Sequence, residues 1–152
     1  MAETRWLTEP EQRAWRQLAA VIGLLPVALE TQLRRDSGLS HFEYWVLAML
    51  SEAPGRRLRM SDLAGRAYGS QSRLSHVVGR LEGRGWVRRE RSPKDRRGLH
   101  AVLTDEGFRQ VKLAAPGHVR LVRELVFRGL GSSEVAELDA VCARILANLP
   151  QD

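Results

Sequence analysis

Apolar residues recur every three or four positions along most of the chain, and this spacing predicts a mainly α-helical protein. The first helix is expected to begin at Thr8-Glu9-Pro10-Glu11, which forms a capping box with proline near the first helical position. Pro26 removes one backbone donor and crowds the preceding turn, so we expect a kink there. The apolar positions of this helix are Trp15, Leu18, Ala19, Ile22, Leu25, Leu29 and Leu33.

A second capping box, Ser40-x-x-Glu43, predicts a second helix, which Pro54-Gly55 ends. Leu58 lies between two arginines and is expected to form a brief strand.

The next two helices are predicted to lie close together in the chain. Ser61 is expected to cap a short helix that Gly69 ends, and Ser70 is expected to cap the helix that follows. That helix runs to Gly83 or Arg84, and Gly85 supplies its left-handed exit residue. Two helices with so short a joint, containing glycine, are typical of a helix-turn-helix.

The second half of the chain predicts a hairpin and two long helices. Residues 86–90 and 98–103 are the strands, and residues 92–97 form the turn between them. Thr104-Asp105-Glu106 caps a long helix that Pro116-Gly117 interrupts without ending it. After a break at residues 129–131, a last helix begins at Ser132 or Ser133 and runs to Leu149.

The helix after Ser70 has two chemically distinct faces. Leu74, Val77, Val78 and Leu81 form one apolar stripe, and the opposite face carries short polar side chains with no acid before Glu82. Donors and acceptors on such a face can contact base edges in the major groove of DNA. The residues expected at this contact are Ser70, Gln71, Ser72, Arg73, Ser75, His76 and Arg80. The alternatives are an ordinary solvated helix, or polar groups at the helix start that contact only phosphates.

The charge of the chain is concentrated around this helix. The chain of 152 residues has a formal net charge of +6. Residues 71–100 contain nine basic and three acidic residues, so this segment carries the whole excess. A concentrated basic patch favours a polyanionic partner, most often nucleic acid. The alternative is a solvated surface in an arginine-rich protein.

The hairpin turn is the most basic part of that segment. Lys94, Arg96 and Arg97 surround a single acid, Asp95. An arginine there could enter the narrow minor groove, and Asp95 could hold the guanidinium of Arg97 or Arg96 through charge-assisted hydrogen bonds. Alternatively, the turn is exposed and its ion pair contributes little.

These motifs resemble the MarR (multiple antibiotic resistance regulator) family. The segment "DRRGLHAVLT" matches the family's D-x-R-x5-L-T pattern with Asp95, Arg97, Leu103 and Thr104, and residues 35–110 match its motif order. The resemblance implies a mainly α fold with a β-hairpin wing, in which residues 39–104 form a winged helix-turn-helix. It implies that residues 1–38 and 105–152 are dimerisation helices within one 152-residue domain.

The terminal helices carry the residues that the resemblance places at a homodimer interface. They are Trp6, Leu7, Leu138, Val141, Cys142, Ile145 and Leu149. The alternative is packing within one subunit. Cys142 is expected to be a small buried hydrophobe, with a redox-sensing role as the alternative.

The resemblance also implies a ligand pocket between the dimerisation helices and the winged domain. Trp15, His41, Tyr44 and Trp45 would line it and would suit a planar aromatic molecule, with or without an anionic group. Alternatively, these aromatic side chains belong to the core.

We therefore expect a cytosolic, ligand-responsive repressor that binds a pseudo-palindromic operator as a homodimer. No apolar stretch is long enough to span a membrane, and one cysteine cannot form an internal disulfide. No phosphate loop, nucleophile elbow or metal-ligand cluster indicates an enzyme or a cofactor. The competing interpretation is an architectural nucleic-acid-binding protein without a regulatory ligand.

Overall fold

The structure is a computed structural model that describes residues 4–91 and 98–150. Within these residues the helices and strands follow the predicted order, and an antiparallel sheet of three strands forms a small wing. The elements are α1 (Glu9–Ser37), α2 (His41–Glu52), β1 (Arg57–Arg59), α3 (Met60–Arg66), α4 (Gln71–Gly83), β2 (Val87–Arg91), β3 (Leu99–Leu103), α5 (Asp105–Val122) and α6 (Ser132–Ala147). The predicted fold class is confirmed.

Both predicted capping boxes are present. The Thr8 amide donates to Glu11 Oε2 over 2.7 Å, and the Ser40 amide donates to Glu43 Oε2 over 2.8 Å. In each case the carboxylate and the hydroxyl satisfy two amides that a helix start would otherwise leave unpaired. α1 is continuous through Pro26 and ends at Gly38, whose φ is 67°.

Two predicted helix boundaries are wrong. Ser61 does not cap α3, which begins at Met60 directly after β1, with Arg59 in the capping position. The ladder between β1 and β3 holds Arg59 opposite His100, so the strand leaves no room for a separate capping residue. α6 ends at Ala147, two residues before the predicted end.

α5 passes through Pro116 and continues into a π-helical turn, Arg123–Phe127.

The buried core extends from the sheet and α2–α4 to Leu33 of α1 and to Val111 and Ala114 of α5. Leu74, Val78 and Leu81 of α4 are at most 1% exposed, and they belong to one apolar cluster with residues of α2 and the sheet. β3 is the central strand, with β1 and β2 antiparallel on either side of it. The predicted apolar stripe therefore fixes α4 against α2 and the sheet.

The outer helices leave much of their apolar surface uncovered in the single chain. None of the residues of α6, all of which the structure describes, is buried. On α1, Leu24 is 72% exposed, and Ile22 and Val27 are also exposed. Exposed apolar residues that cluster on one helix face are typical of interaction sites. Among the helices in the described ranges, none is both long and apolar enough to cross a membrane.

Gly107 allows the start of α5 to approach the backbone of Trp86, the residue just before β2. A Cβ at this position would overlap the Trp86 carbonyl and lie 2.7 Å from Leu103 Cδ1. Both neighbours are fixed, since the Trp86 carbonyl accepts a hydrogen bond from the Thr104 amide over 3.0 Å and Leu103 is buried. A larger side chain can therefore be accepted only if the backbone shifts.

We expect Gly107→Ala to lower the free energy of unfolding by about 1–3 kcal/mol, the usual effect of overpacking a well-filled site. Gly65→Ala is a matched control, because Gly65 lies in α3 and a Cβ added there would have no neighbour within 4 Å. That control should be neutral or stabilise the protein by about 0.5–1 kcal/mol. Denaturant unfolding measures both, and equal effects of the two substitutions would contradict the close approach at Gly107.

Candidate nucleic-acid interface

The outer face of α4 is exposed, as its sequence pattern predicts. The exposed residues are Gln71, Ser72, Arg73, Ser75, His76, Gly79 and Arg80. Ser70 caps the helix by accepting a hydrogen bond from the Arg73 amide over 3.2 Å. The face combines hydroxyl, amide, imidazole and guanidinium groups, which can donate and accept hydrogen bonds.

Arg73 lies beside an aromatic ring of α2. Its guanidinium carbon is 4.1 Å from the centroid of the Phe42 ring, within the range of a cation–π contact. Phe42 also contacts the turn before α4, because a Cβ at Gly69 would lie 2.6 Å from this ring. The ring therefore supports both the turn and the arginine.

Arg80 has a structural partner that sequence spacing did not reveal. Its Nε lies 3.1 Å from Glu43 Oε1, and the Glu43 side chain is only 2% exposed. Burial raises the pKa of Glu43, but hydrogen bonds from the Ser40 amide and Arg80, with the charges of Arg84 and Arg80, lower it overall. The Arg80 side chain is itself 55% exposed. One arginine thus neutralises a buried carboxylate while part of it still faces solvent.

Arg89 of β2 also contacts α4, and sequence reasoning missed it. Its Nη2 donates to the Ser75 carbonyl over 2.7 Å. A Cβ at Gly79 would lie 3.6 Å from this nitrogen. Gly79 has no Cβ and so leaves space beside the helix for the Arg89 guanidinium. A glycine in the middle of α4 is the one sequence signal for this contact.

The predicted wing contacts lie outside the described residues. They are Lys94, Asp95, Arg96 and Arg97. The strands on either side are described, and Arg91 pairs with Leu99 at the end of the ladder. At the other end, the Thr104 hydroxyl donates to the Gly85 carbonyl over 2.7 Å, which holds the end of β3 against the end of α4.

A cleft of about 550 Å³ lies between α1, α2 and α4. Its lining residues are Pro26, Val27, Glu30, Thr31, His41, Phe42, Trp45, Ala67 and Arg73. Of the four predicted pocket residues, His41 and Trp45 line it. Within the described chain, Trp15 and Tyr44 do not.

In the single chain the other two residues lie elsewhere. Tyr44 is turned towards α5, where its ring centroid lies 4.5 Å from that of buried His118. Trp15 lies on an exposed part of α1, eleven residues before Pro26. Phe42 and Arg73, which do line the cleft, could be identified only from the packing of α2 against α4.

Burial lowers the pKa of His41, and the nearby Glu30 carboxylate opposes this effect. Glu30 accepts hydrogen bonds from the His41 amide over 2.6 Å and from Arg34 over 2.8 Å. Burial, together with the charge of His41, also lowers the pKa of His118. The cleft therefore has a neutral imidazole near neutral pH, a paired carboxylate and one guanidinium on an aromatic ring.

The predicted interface residues are exposed in the single chain. They are Trp6, Leu7, Leu138, Val141, Ile145 and Leu149. Cys142 is also exposed in the single chain, where none of the residues of α6, which the structure describes in full, is buried.

We expect Arg80→Ala to lower the free energy of unfolding at pH 7 by about 1–3 kcal/mol, because the buried Glu43 carboxylate loses a partner. The stabilisation from ionised Glu43 is present above its unfolded pKa and is lost as pH falls through its lower folded pKa. The difference between the two proteins should therefore shrink in acid. Arg73→Ala is the control and should cost no more than about 1 kcal/mol. Denaturant unfolding between pH 3 and pH 7 makes the comparison; a difference independent of pH would contradict the role of Glu43.

A sequence model of the MarR family matches residues 37–98. The chain is 48% identical to Sco3205 of Streptomyces coelicolor, a MarR family transcriptional regulator solved in complex with DNA, over 97% of this chain and 91% of that one, with a TM-score of 0.89. It is 44% identical to AbsC, a MarR family transcriptional regulator of the same organism, over 95% and 97% of the two chains, again with a TM-score of 0.89. It is 31% identical to the transcriptional regulator HosA of Escherichia coli O111:H- over 70% of this chain and 76% of that protein. The chain therefore belongs to the MarR family of transcriptional regulators.

Proposed function

We propose that the protein is a sequence-specific DNA-binding repressor that acts as a homodimer, with α4 in the major groove of its operator. One observation carries this proposal: a buried apolar stripe holds α4 so that its acid-poor polar face is exposed. The solved complex of Sco3205 with DNA supports it, because that protein shares 48% of its residues with this chain. The repressor role is proposed by analogy with the transcriptional repressor MprA of Escherichia coli. This chain is 24% identical to MprA over 79% of its own length and 68% of that protein.

The residues of α4 would contribute in different ways. Ser70, Gln71 and Ser72 lie at the helix start, where hydroxyl and amide groups suit phosphates. Ser75 and His76 lie further along the exposed face and are the candidates for base contacts. Arg73 and Arg80 are already held by Phe42 and Glu43, so they would reach DNA from fixed positions.

The dimer would form through the uncovered apolar faces of α1 and α6. A two-fold axis between the subunits would present two copies of α4 to one side of a duplex. The operator is then expected to be a pseudo-palindrome with half-site centres about 10 bp apart, one turn of B-DNA. Cys142 would be covered in this dimer, which disfavours the redox alternative.

The cleft beside α4 is the proposed effector site. Phe42 and Arg73 belong both to its lining and to the support of α4, so a ligand there would compete for a residue of the DNA-binding face. Aromatic rings and one guanidinium suit a planar aromatic carboxylate. CouR of Rhodococcus jostii, 25% identical with a TM-score of 0.76, was solved with p-coumaroyl-CoA, which is an aromatic ligand of that relative.

We expect the purified protein to be a dimer at micromolar concentration and to protect two half-sites. The protein first selects its preferred duplex from a random library. Footprinting on that duplex then shows the protected half-sites, and light scattering gives the mass of the protein in solution. A persistent monomer, or protection of one unrepeated half-site, would contradict the proposal. Equal affinity for selected and random duplexes would instead favour the architectural interpretation.

We expect His76→Ala to cost about 1–3 kcal/mol of binding free energy on the selected operator and less on random DNA. The imidazole is exposed on the face of α4, so its removal should leave the thermal unfolding of the dimer unchanged. Competition binding at fixed salt measures both affinities. Equal losses on the two duplexes would reassign His76 to a phosphate contact.

For the wing, we propose that Arg97 enters the minor groove and that Asp95 orients it. Asp95→Asn removes a negative charge near phosphate, so electrostatics alone predicts tighter binding. The orienting role predicts weaker binding, because a free arginine must be ordered at a cost of about 0.5–1.5 kcal/mol. Titration of the operator, after unchanged thermal unfolding has been verified, decides between them. Tighter binding by Asp95→Asn would show that Asp95 does not orient Arg97 and that the wing contributes only its positive charge.

For the cleft, we expect 4-hydroxycinnamate to quench Trp45 fluorescence and to weaken operator binding. Arg73→Gln should remove most of this response, because the guanidinium that would hold the carboxylate is lost. The measurement is operator affinity with and without the acid for both proteins. A response retained in Arg73→Gln, or no response in the wild type, would overturn this ligand class.

A further inference from the structure

A single arginine of the wing connects β2 to the recognition surface. Arg89 lies in β2 opposite Ala101 of the central strand, and its side chain is 28% exposed. Nη2 donates to the Ser75 carbonyl over 2.7 Å, and Gly79 leaves the space that the guanidinium occupies. The buried Nε has no hydrogen-bond partner within the described residues, so this part of the guanidinium faces the protein.

α4 holds the same residue at a second point. The Arg89 amide donates to Glu82 Oε1 over 3.1 Å, and Glu82 Oε2 lies 3.8 Å from Arg89 Nε. Ser75, Gly79 and Glu82 are spaced i, i+4 and i+7, so they share one strip of the helix surface. Ser75 and Glu82 are about 10 Å apart along the helix axis. We call this arrangement of Arg89 with Ser75 and Glu82 the Arg89 bridge.

Two contacts about two turns apart restrict the tilt of a helix more than one contact can. The apolar stripe of α4 fixes which face is buried, but the hydrophobic effect is non-directional. The Arg89 bridge adds directional hydrogen bonds from a strand that leads straight into residues 92–97. The Arg89 bridge lies on the exposed side of α4, so it restricts the tilt of the helix close to Ser75 and His76.

We propose that Arg89 is a positioning residue for DNA recognition: it fixes the tilt of α4 relative to β2, so that the helix and the hairpin meet a duplex in one arrangement. This inference rests on the proposed function. The competing view is that Arg89 simply adds positive charge near phosphates. The two views differ on sequence preference, because a phosphate charge strengthens binding to every duplex equally.

Three variants separate these views. Arg89→Gln removes the guanidinium contacts with Ser75 and Glu82 and one positive charge, and it leaves the hydrogen bond from the residue 89 amide to Glu82 in place. Arg88→Gln is the matched control, since Arg88 is the preceding residue of β2, its side chain is 56% exposed, and it pairs with Glu90 instead of α4. Glu82→Gln keeps size and an acceptor oxygen for the Arg89 amide but removes the carboxylate beside the guanidinium. Because Glu82→Gln also removes an acid, electrostatics alone predicts tighter binding to all DNA.

The measured quantity is the ratio of affinities for the selected operator and a random duplex, at fixed salt, on dimers with verified thermal unfolding. We expect this ratio to fall about tenfold in Arg89→Gln, comparable to the loss of one base-pair contact. The ratio should fall severalfold in Glu82→Gln. Arg88→Gln should instead weaken binding to both duplexes by the same factor and leave the ratio unchanged. If Arg89→Gln does not fold, the Glu82→Gln ratio still decides the question.

Other results have distinct meanings. If both bridge variants keep the wild-type ratio, the positioning role is wrong and Arg89 is a charge like Arg88. If Glu82→Gln binds both duplexes more tightly by one factor, the inference is likewise overturned. A wild-type dimer without preference for its selected duplex would overturn the proposed function, and this inference with it.

Discussion

Burial of the apolar stripe on α4 is the constraint on which the remaining arrangement depends. Leu74, Val78 and Leu81 are almost completely enclosed, and each contributes about 1.5–3 kcal/mol relative to an exposed side chain. A surface ion pair contributes at most about 1 kcal/mol, so burial decides which way the helix faces. Once the stripe is turned inward, the geometry of the helix turns the opposite face outward. The polar surface of α4 is thus a consequence of its core contacts.

The arginines of the basic segment serve more than one purpose. Arg80, Arg88 and Arg89 lie within 4.0 Å of glutamate oxygens, so part of the positive charge is balanced inside the protein. The formal net charge of the sequence counts these residues together with arginines that face solvent. The charge of the segment therefore indicates a basic surface, whereas the role of each arginine depends on its acidic neighbours in the fold.

Local signals predicted most of the fold because they act within a few residues. The capping boxes at Thr8 and Ser40 and the stripe on α4 require only helical spacing, and all three were found. Failures arose where distant segments meet. The start of α3 is set by pairing with β3, a contact between segments about 40 residues apart in the chain. Likewise, Glu43 and Arg80 are 37 residues apart, so no local pattern could have paired them.

The exposure of α6 in the single chain affects the lifetime of this protein in a cell. A helix of 16 residues is marginal in water when its own propensity alone supports it, and α6 buries none of its residues within its subunit. Most of its stability must therefore come from surfaces supplied by another chain. Folding of this end of the molecule is then coupled to association, and its stability rises with subunit concentration. At low expression the ends of the protein would be the first substrate for proteolysis, which links the amount of regulator to its lifetime.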